Sequence, residues 1–391
     1  MKSTLILYML ILASYTSFSQ NYTQTADYVI ENHNGVITAK ARPESGLIEY
    51  SGSDAYKIIQ SAITALCVKN GGEIFITSGT YYLSDELIIN GWDQNLPPNK
   101  QLVITGTGYA TQLIQNTPDK NAIVLRNKAS IVLSGLYIYT GTNSKSGILM
   151  DDSGANSDVS VWGGTIDNVF LQSNSNMQPA FYGKNFFDLN IPHLTAINNN
   201  NNGIVIENTS KTTNYGNSNF GFIRAAGSTK SPYAGLYIKS SNSNGDKFPN
   251  LITFQNYECV SAYRGIWLNG AKYITFAFID AEGIKEPIFL DGSKMSGESR
   301  SNKFLSGYIL PLHSGTAITN TLYTGDNEFN LYVETDPTIT VILDEQKYRP
   351  VNTYNLSLSG PGVIVMKIVS PATPITIKKT NGSIIKLPSN H

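Results

Sequence analysis

Arg264, Lys285, Lys239 and Tyr263 are residue types that can neutralise a carboxylate and remove the proton beside it, the chemistry of a β-elimination. The reaction needs a cation to neutralise the substrate carboxylate and a base to take the proton beside it. Arg264 is expected as the clamp and Lys285 or Lys239 as the base, a role that calls for neighbouring cations or partial desolvation. A second constellation suits hydrolysis. If Glu258 and Asp280 fall on adjacent coils of a repeat, their carboxyl groups stand about 5 Å apart, the separation of acid and nucleophile in a retaining glycosidase. Two calcium ligands would fit the same spacing. Arg224 paired with Glu258 as a plain surface bridge is the structural alternative.

The elements that place these residues follow from a repeat. A small residue followed by apolar, variable and apolar residues recurs as AIVL, GILM, AFYG, GIVI, GLYI, GIWL, PIFL and AITN, starting at residues 122, 147, 180, 203, 235, 265, 287 and 317. A coil of about 22 residues with loop insertions on one rim explains the uneven spacing. ITFQNYECVSAYRGIWL from Ile252 aligns without a gap on ITFAFIDAEGIKEPIFL from Ile274. Short strands with no helices between them predict an all-β, single-stranded, right-handed parallel β-helix. Its like residues stack at roughly 4.8 Å, so Ile266 is expected on Ile288 and Phe254 on Phe276.

The strand alternation also predicts outward columns. The middle residues of the short strands form Val124, Leu149, Tyr182, Val205, Tyr237, Trp267 and Phe289, whose second half is an aromatic stripe suited either to stacking on sugars or to cover by an inserted loop such as Ser210 to Asn219 or Ser240 to Phe248. The next column is Arg126, Asp151, Lys184, Glu207, Lys239, Asn269 and Asp291, whose alternating signs also suit a simple charge ladder. In the preceding strand, Thr195, Arg224, Glu258, Asp280 and Tyr308 make a third column. Glycan-binding candidates are therefore Tyr182, Tyr237, Trp267, Phe289, Arg224 and Glu207. The Asn198 to Asn202 run is expected to be a turn, because asparagine tolerates left-handed geometry and can stack on itself between coils.

Residues 54–69, DAYKIIQSAITALCVK, have helical apolar spacing, with Ser53 or Asp54 as N-cap and Asn70-Gly71-Gly72 as terminator. This helix is expected to cap the open end of the stack. The expected organisation is a signal peptide at 1–20, a lead-in at 21–53, the cap and β-helix at 54–345, and closing C-terminal strands at 346–391. Around Thr380-Asn381-Gly382 those last strands read as a hairpin.

SDAYKIIQSAITAL, GGEIFITSGTYYL and LVITGTGYATQLI together resemble the N-terminal cap and first coil of pectate-lyase-like and polygalacturonase-like β-helix proteins. The coil pattern carries the likeness to about residue 345. The resemblance implies that superfamily's range: polysaccharide lyases, hydrolases and epimerases, with phage tail spikes and proteins of no known activity beside them. The aspartate pair of polygalacturonases has no counterpart at Tyr263-Arg264 or Lys285-Glu286, and their Gly-His-Gly segment has no match. Their inverting hydrolysis is therefore not carried over. β-Elimination on a uronate-containing polysaccharide is the leading expectation, with hydrolysis by Glu258 and Asp280, or glycan adhesion without catalysis, as the alternatives.

Composition narrows the partners. Lys2, an apolar run from Leu5 to Ala13 and small polar residues after it have the layout of a secretory signal, and no later run approaches the roughly 20 apolar residues of a membrane helix. Without Lys2, 27 basic residues face 29 acidic ones, which offers no general attraction to nucleic acid. A secreted chain meeting an extracellular polysaccharide, without membrane insertion, is the expectation. Cys67 and Cys259 cannot make a disulfide scaffold, and His33, His193, His313 and His391 lack zinc-site spacing. No cofactor is demanded, and calcium is compatible with Glu258 and Asp280.

Overall fold

The computed structural model describes residues 25–42, 46–69, 71–91, 101–127, 129–151, 159–241, 247–292, 297–321, 323–336, 338–345, 351–360, 363–368, 373–379 and 383–388. The expected signal peptide lies outside them.

Apolar spacing becomes one helix, α1 (Ala55–Val68), which buries Ala55, Ile58, Ile59, Ala62, Ile63 and Leu66. Asp54 is its N-cap, accepting from the Tyr56 amide at 3.1 Å, and Gly71 closes the end with its amide on the Leu66 carbonyl at 2.9 Å. The helix is not the whole cap. The lead-in folds into antiparallel strands Tyr28–His33, Val36–Ala41 and Leu47–Gly52, the first of which also pairs in parallel with Gly72–Ile76. Those strands and α1 pack against each other and cover the end of the stack.

Beyond the cap, the chain alternates long and short strands that pair in parallel with their counterparts one coil on; among the described residues the long strands and the three cap strands make an 18-stranded sheet and the short strands a 12-stranded one. The alternation of apolar and polar residues places one set inside. Phe220, Phe254, Phe276, Phe304, Phe329 and Tyr354 stack down the interior with successive ring centroids 4.7, 4.8, 5.1, 4.9 and 5.0 Å apart. Ile266 pairs with Ile288 and Phe254 with Phe276, as the repeat predicts. Buried amides stitch the turns, because a buried polar group must find a partner. Asn302 donates to Asn327 at 3.0 Å, and Asn327 to Asn352 at 2.9 Å.

Two expectations are corrected. The C-terminal strands are not a hairpin: Ile375–Lys379 pairs in parallel with Thr353–Ser359, and Ser383–Pro388 with Val363–Ile368. Alternation alone does not distinguish a hairpin from a further coil, and Thr380, Asn381 and Gly382 lie outside the described residues. The Asn198–Asn202 turn is not built on left-handed residues, which occur instead at asparagines such as Asn168, Asn185 and Asn217. It is closed by the Asn198 Oδ1, which accepts from the amides of Asn200 and Asn201 at 2.9 and 3.1 Å. Stacking between coils does occur, with Asn199 donating to Asn174 at 2.8 Å.

Candidate functional site

The aromatic column of the short strands is in the predicted register: Leu149 pairs with Tyr182, Tyr182 with Val205, Val205 with Tyr237, Tyr237 with Trp267, and Trp267 with Phe289. Its rings are half-buried rather than an open stripe. Tyr237 and Trp267 stack on each other at 3.9 Å, and the Arg264 guanidinium lies 4.2 Å from the Trp267 ring and 3.6 Å from that of Phe289. The ring faces therefore already have partners, although the buried Trp267 Nε1 makes no hydrogen bond among the described residues.

The cationic residues beside it are likewise engaged. Arg264 Nε donates to Glu286 at 2.7 Å, and its guanidinium sits 6.0 Å from the Tyr263 ring. Lys285 Nζ donates to the carbonyls of Ser314 at 2.6 Å and His313 at 3.2 Å, tying one coil to the next. Lys239 pairs with Glu207 at 3.1 Å, and Glu207 also accepts from the Tyr182 hydroxyl. Replacing Arg264 by Ala should cost about 1–3 kcal/mol in denaturant unfolding, because it strips the faces of two rings and leaves Glu286 unpaired. An unchanged midpoint would show that the guanidinium contributes nothing there.

Glu207 gives this face a pH dependence. Burial pushes its carboxyl up, but the Lys239 ammonium and hydrogen bonds from Ser241, Tyr182 and Lys239 outweigh it, leaving it below its ordinary value of 4.5. A depressed carboxyl stabilises the fold above its unfolded pKa, and that stability is lost as pH falls through the folded value. Glu207→Gln should therefore flatten the acid side of the stability profile, below about pH 4.5. Identical acid limbs in the variant and the parent would remove this assignment.

The long-strand sheet carries a different column. Thr195 pairs with Arg224, Arg224 with Glu258, Glu258 with Asp280, and Asp280 with Tyr308, which is the predicted order. Arg224 reaches Glu258 at 3.5 Å. Asp280 Oδ1 is buried and has no hydrogen-bond partner, a state that a native protein relieves with a ligand or water. Beyond it, Tyr308 donates to Glu334 at 2.5 Å and stacks on Tyr332 at 5.6 Å. The hydrogen bond to Glu334, with burial second, pushes the Tyr308 phenol up, so it remains a neutral donor.

The same column extends toward the cap through Thr80, Gln112, Tyr137 and Phe170. Sequence reasoning began the column at Thr195 and missed these residues, although the alternation in ASIVLSGLYIYT already places Tyr137 and Tyr139 outward. As for a metal, calcium takes six to eight oxygens. Glu258 and Asp280 offer two carboxylates, and among the described residues no three His, Cys, Asp or Glu side chains converge.

No protein-family model matches the sequence, and no curated protein matches it. Solved structures do. The Agl-KA catalytic domain aligns at 13% identity over 86% of this chain and 66% of its own length, with a TM-score of 0.53. The chain has the right-handed parallel β-helix of the pectin-lyase-like fold. The A-module of the Azotobacter vinelandii mannuronan C-5 epimerase AlgE4 aligns at 12% identity over 87% of this chain and 94% of that one, with a TM-score of 0.43. A full-length tailspike protein 2 of Escherichia coli O157:H7 bacteriophage CAB120 aligns at 12% identity over 90% and 48%, with a TM-score of 0.35. The likeness to the Agl-KA catalytic domain at 13% identity establishes the fold alone, and a fold does not assign a function.

Proposed function

We propose that the chain is an extracellular polysaccharide hydrolase, exported by residues 1–20, in which Glu258 and Asp280 are the reacting carboxyl pair. One observation carries the reading: the two acids are register neighbours on adjacent coils, and Asp280 Oδ1 is buried without a partner. Adjacent coils lie roughly 4.8 Å apart, close to the carboxyl separation of about 5–5.5 Å in retaining glycosidases. Arg224 lies beside Glu258 at 3.5 Å, so the nucleophile's part is assigned to Glu258 and the acid's to Asp280. Glu258 attacks the anomeric carbon as Asp280 protonates the leaving oxygen, forming a glycosyl ester and releasing the first product. Water, deprotonated by Asp280, then cleaves the ester and restores both acids.

β-Elimination has weaker support, since Arg264, Lys285 and Lys239 each hold a structural partner. Purified chain incubated with neutral and uronate-containing polysaccharides separates the readings. Reducing ends released without ultraviolet absorbance support the hydrolase. Absorbance from unsaturated uronates would return the chemistry to Arg264 and its neighbours, and binding without either signal would make the chain an adhesin.

A further inference from the structure

Tyr109, Tyr137 and Phe170 make a ring cluster on the outside of the long-strand sheet. Tyr137 and Phe170 stack at 5.5 Å with planes 9° apart, while Tyr109 lies 5.0 Å from Phe170 and 6.2 Å from Tyr137. Tyr109 reaches across two coils because the strand register slips between Gly108 and Gln112, with Gly108 at a φ of 80°. Such bulges re-aim side chains beside functional sites. Polar contacts hold the surroundings: the Tyr137 hydroxyl donates to Gln172 at 2.8 Å, and the Asn174 amide to the Tyr139 hydroxyl at 3.0 Å. Tyr109 is 62% exposed and nearby Tyr82 67%, so the core gains little from either ring.

The charge pattern identifies what such a surface can hold. Two outward columns cross it, one through Thr80, Gln112, Tyr137, Phe170 and Thr195, the other through Tyr82, Ile114, Tyr139, Gln172 and Ile197. Both present rings, amides and hydroxyls, and neither presents a carboxylate, an ammonium or a guanidinium. The first charge along the line is Arg224. An uncharged sugar suits this lining, with its C–H face on the rings and its hydroxyls on amides. A uronate would find no cationic side chain in either column to meet its carboxylate.

We infer that Tyr109, Tyr137 and Phe170 form a binding platform for uncharged sugar residues of the glycan that reaches Glu258 and Asp280. Three coils separate Phe170 from Glu258 through Thr195 and Arg224, about 14 Å at roughly 4.8 Å per coil. A short stretch of oligosaccharide bridges that gap along the helix axis. The inference deepens the hydrolase reading and rests on it for the position of the reacting sugar.

The test is calorimetric binding to the full chain carrying Glu258→Gln, so that substrate is not consumed. The probes are a soluble glucan, a xylan and a galactomannan, with polygalacturonate and alginate as charged polymers. At least one neutral polymer should bind, and Tyr109→Ala and Phe170→Ala should each weaken it about tenfold or more. Tyr109→Ala guards against misfolding, because so exposed a ring can be removed with an unchanged melting temperature. Equal affinity in both variants, or binding of the charged polymers alone, overturns the platform. Its failure leaves the loss of turnover in Glu258→Gln untouched, whereas normal turnover in Glu258→Gln defeats the hydrolase reading and leaves the binding result standing.

Discussion

Asp280→Asn should lower the release of reducing ends by about 10²–10⁴-fold, the range that a positioned acid or base contributes, and Glu258→Gln by at least as much, since it removes the nucleophile. The two substitutions keep shape and remove the charge or proton that the reaction needs. Neither should lower the melting temperature by more than a degree or two, since Asp280 Oδ1 makes no hydrogen bond to lose and Arg224 to Glu258 is a long, half-exposed pair at 3.5 Å of small worth. A gain in stability would fit equally, because sites arranged for reaction are often held against their own stability. Turnover that survives both substitutions would sink the carboxylate assignment. Loss of turnover only with loss of folding would make the pair structural.

The two variants should also differ from each other. If Glu258 forms the glycosyl ester, Glu258→Gln blocks the first step on every substrate. Asp280→Asn should be far less harmful to the first step on a glycoside whose leaving group needs no proton, such as a nitrophenyl glycoside of the preferred sugar, because the acid's contribution to that step is then dispensable. A burst of nitrophenol followed by a slow steady state is the expected signature, as the second step still needs Asp280 to activate water. Equal loss in both variants on that substrate would contradict the division of roles.

The columns were legible because strand side chains alternate with a period of two and parallel coils align like on like. That is enough to place Glu258 against Asp280 and Trp267 against Phe289 without coordinates. It does not say which neighbours satisfy one another. Arg264 looks available from its type and rim position, yet its long side chain folds back over Trp267 and Phe289 to meet Glu286. Tyr109 was hidden for the opposite reason, since a bulge breaks the alternation that would have located it. The last coil looked like a hairpin because periodicity is blind to strand direction.

The interior stack sets how much of the candidate site's geometry survives a change far from it. Phe276 is fully buried and stacks between Phe254 at 4.8 Å and Phe304 at 5.1 Å, with Tyr257 edge-on at 6.1 Å. It lies four residues before Asp280 in the same coil, so its packing helps hold the long sheet beneath the acid pair. Phe276→Ala removes a ring from a close-packed column and should cost about 3–5 kcal/mol. Phe276→Leu keeps most of the volume and should cost roughly 1–2 kcal/mol, from lost ring pairing and imperfect shape. Because each coil is stabilised chiefly by its neighbours, the Ala variant should open the middle coils first, and hydrogen exchange should quicken there before it does at the cap. Uniform quickening along the chain would instead mean that the β-helix unfolds as a single unit, and that the stack couples the site to both ends.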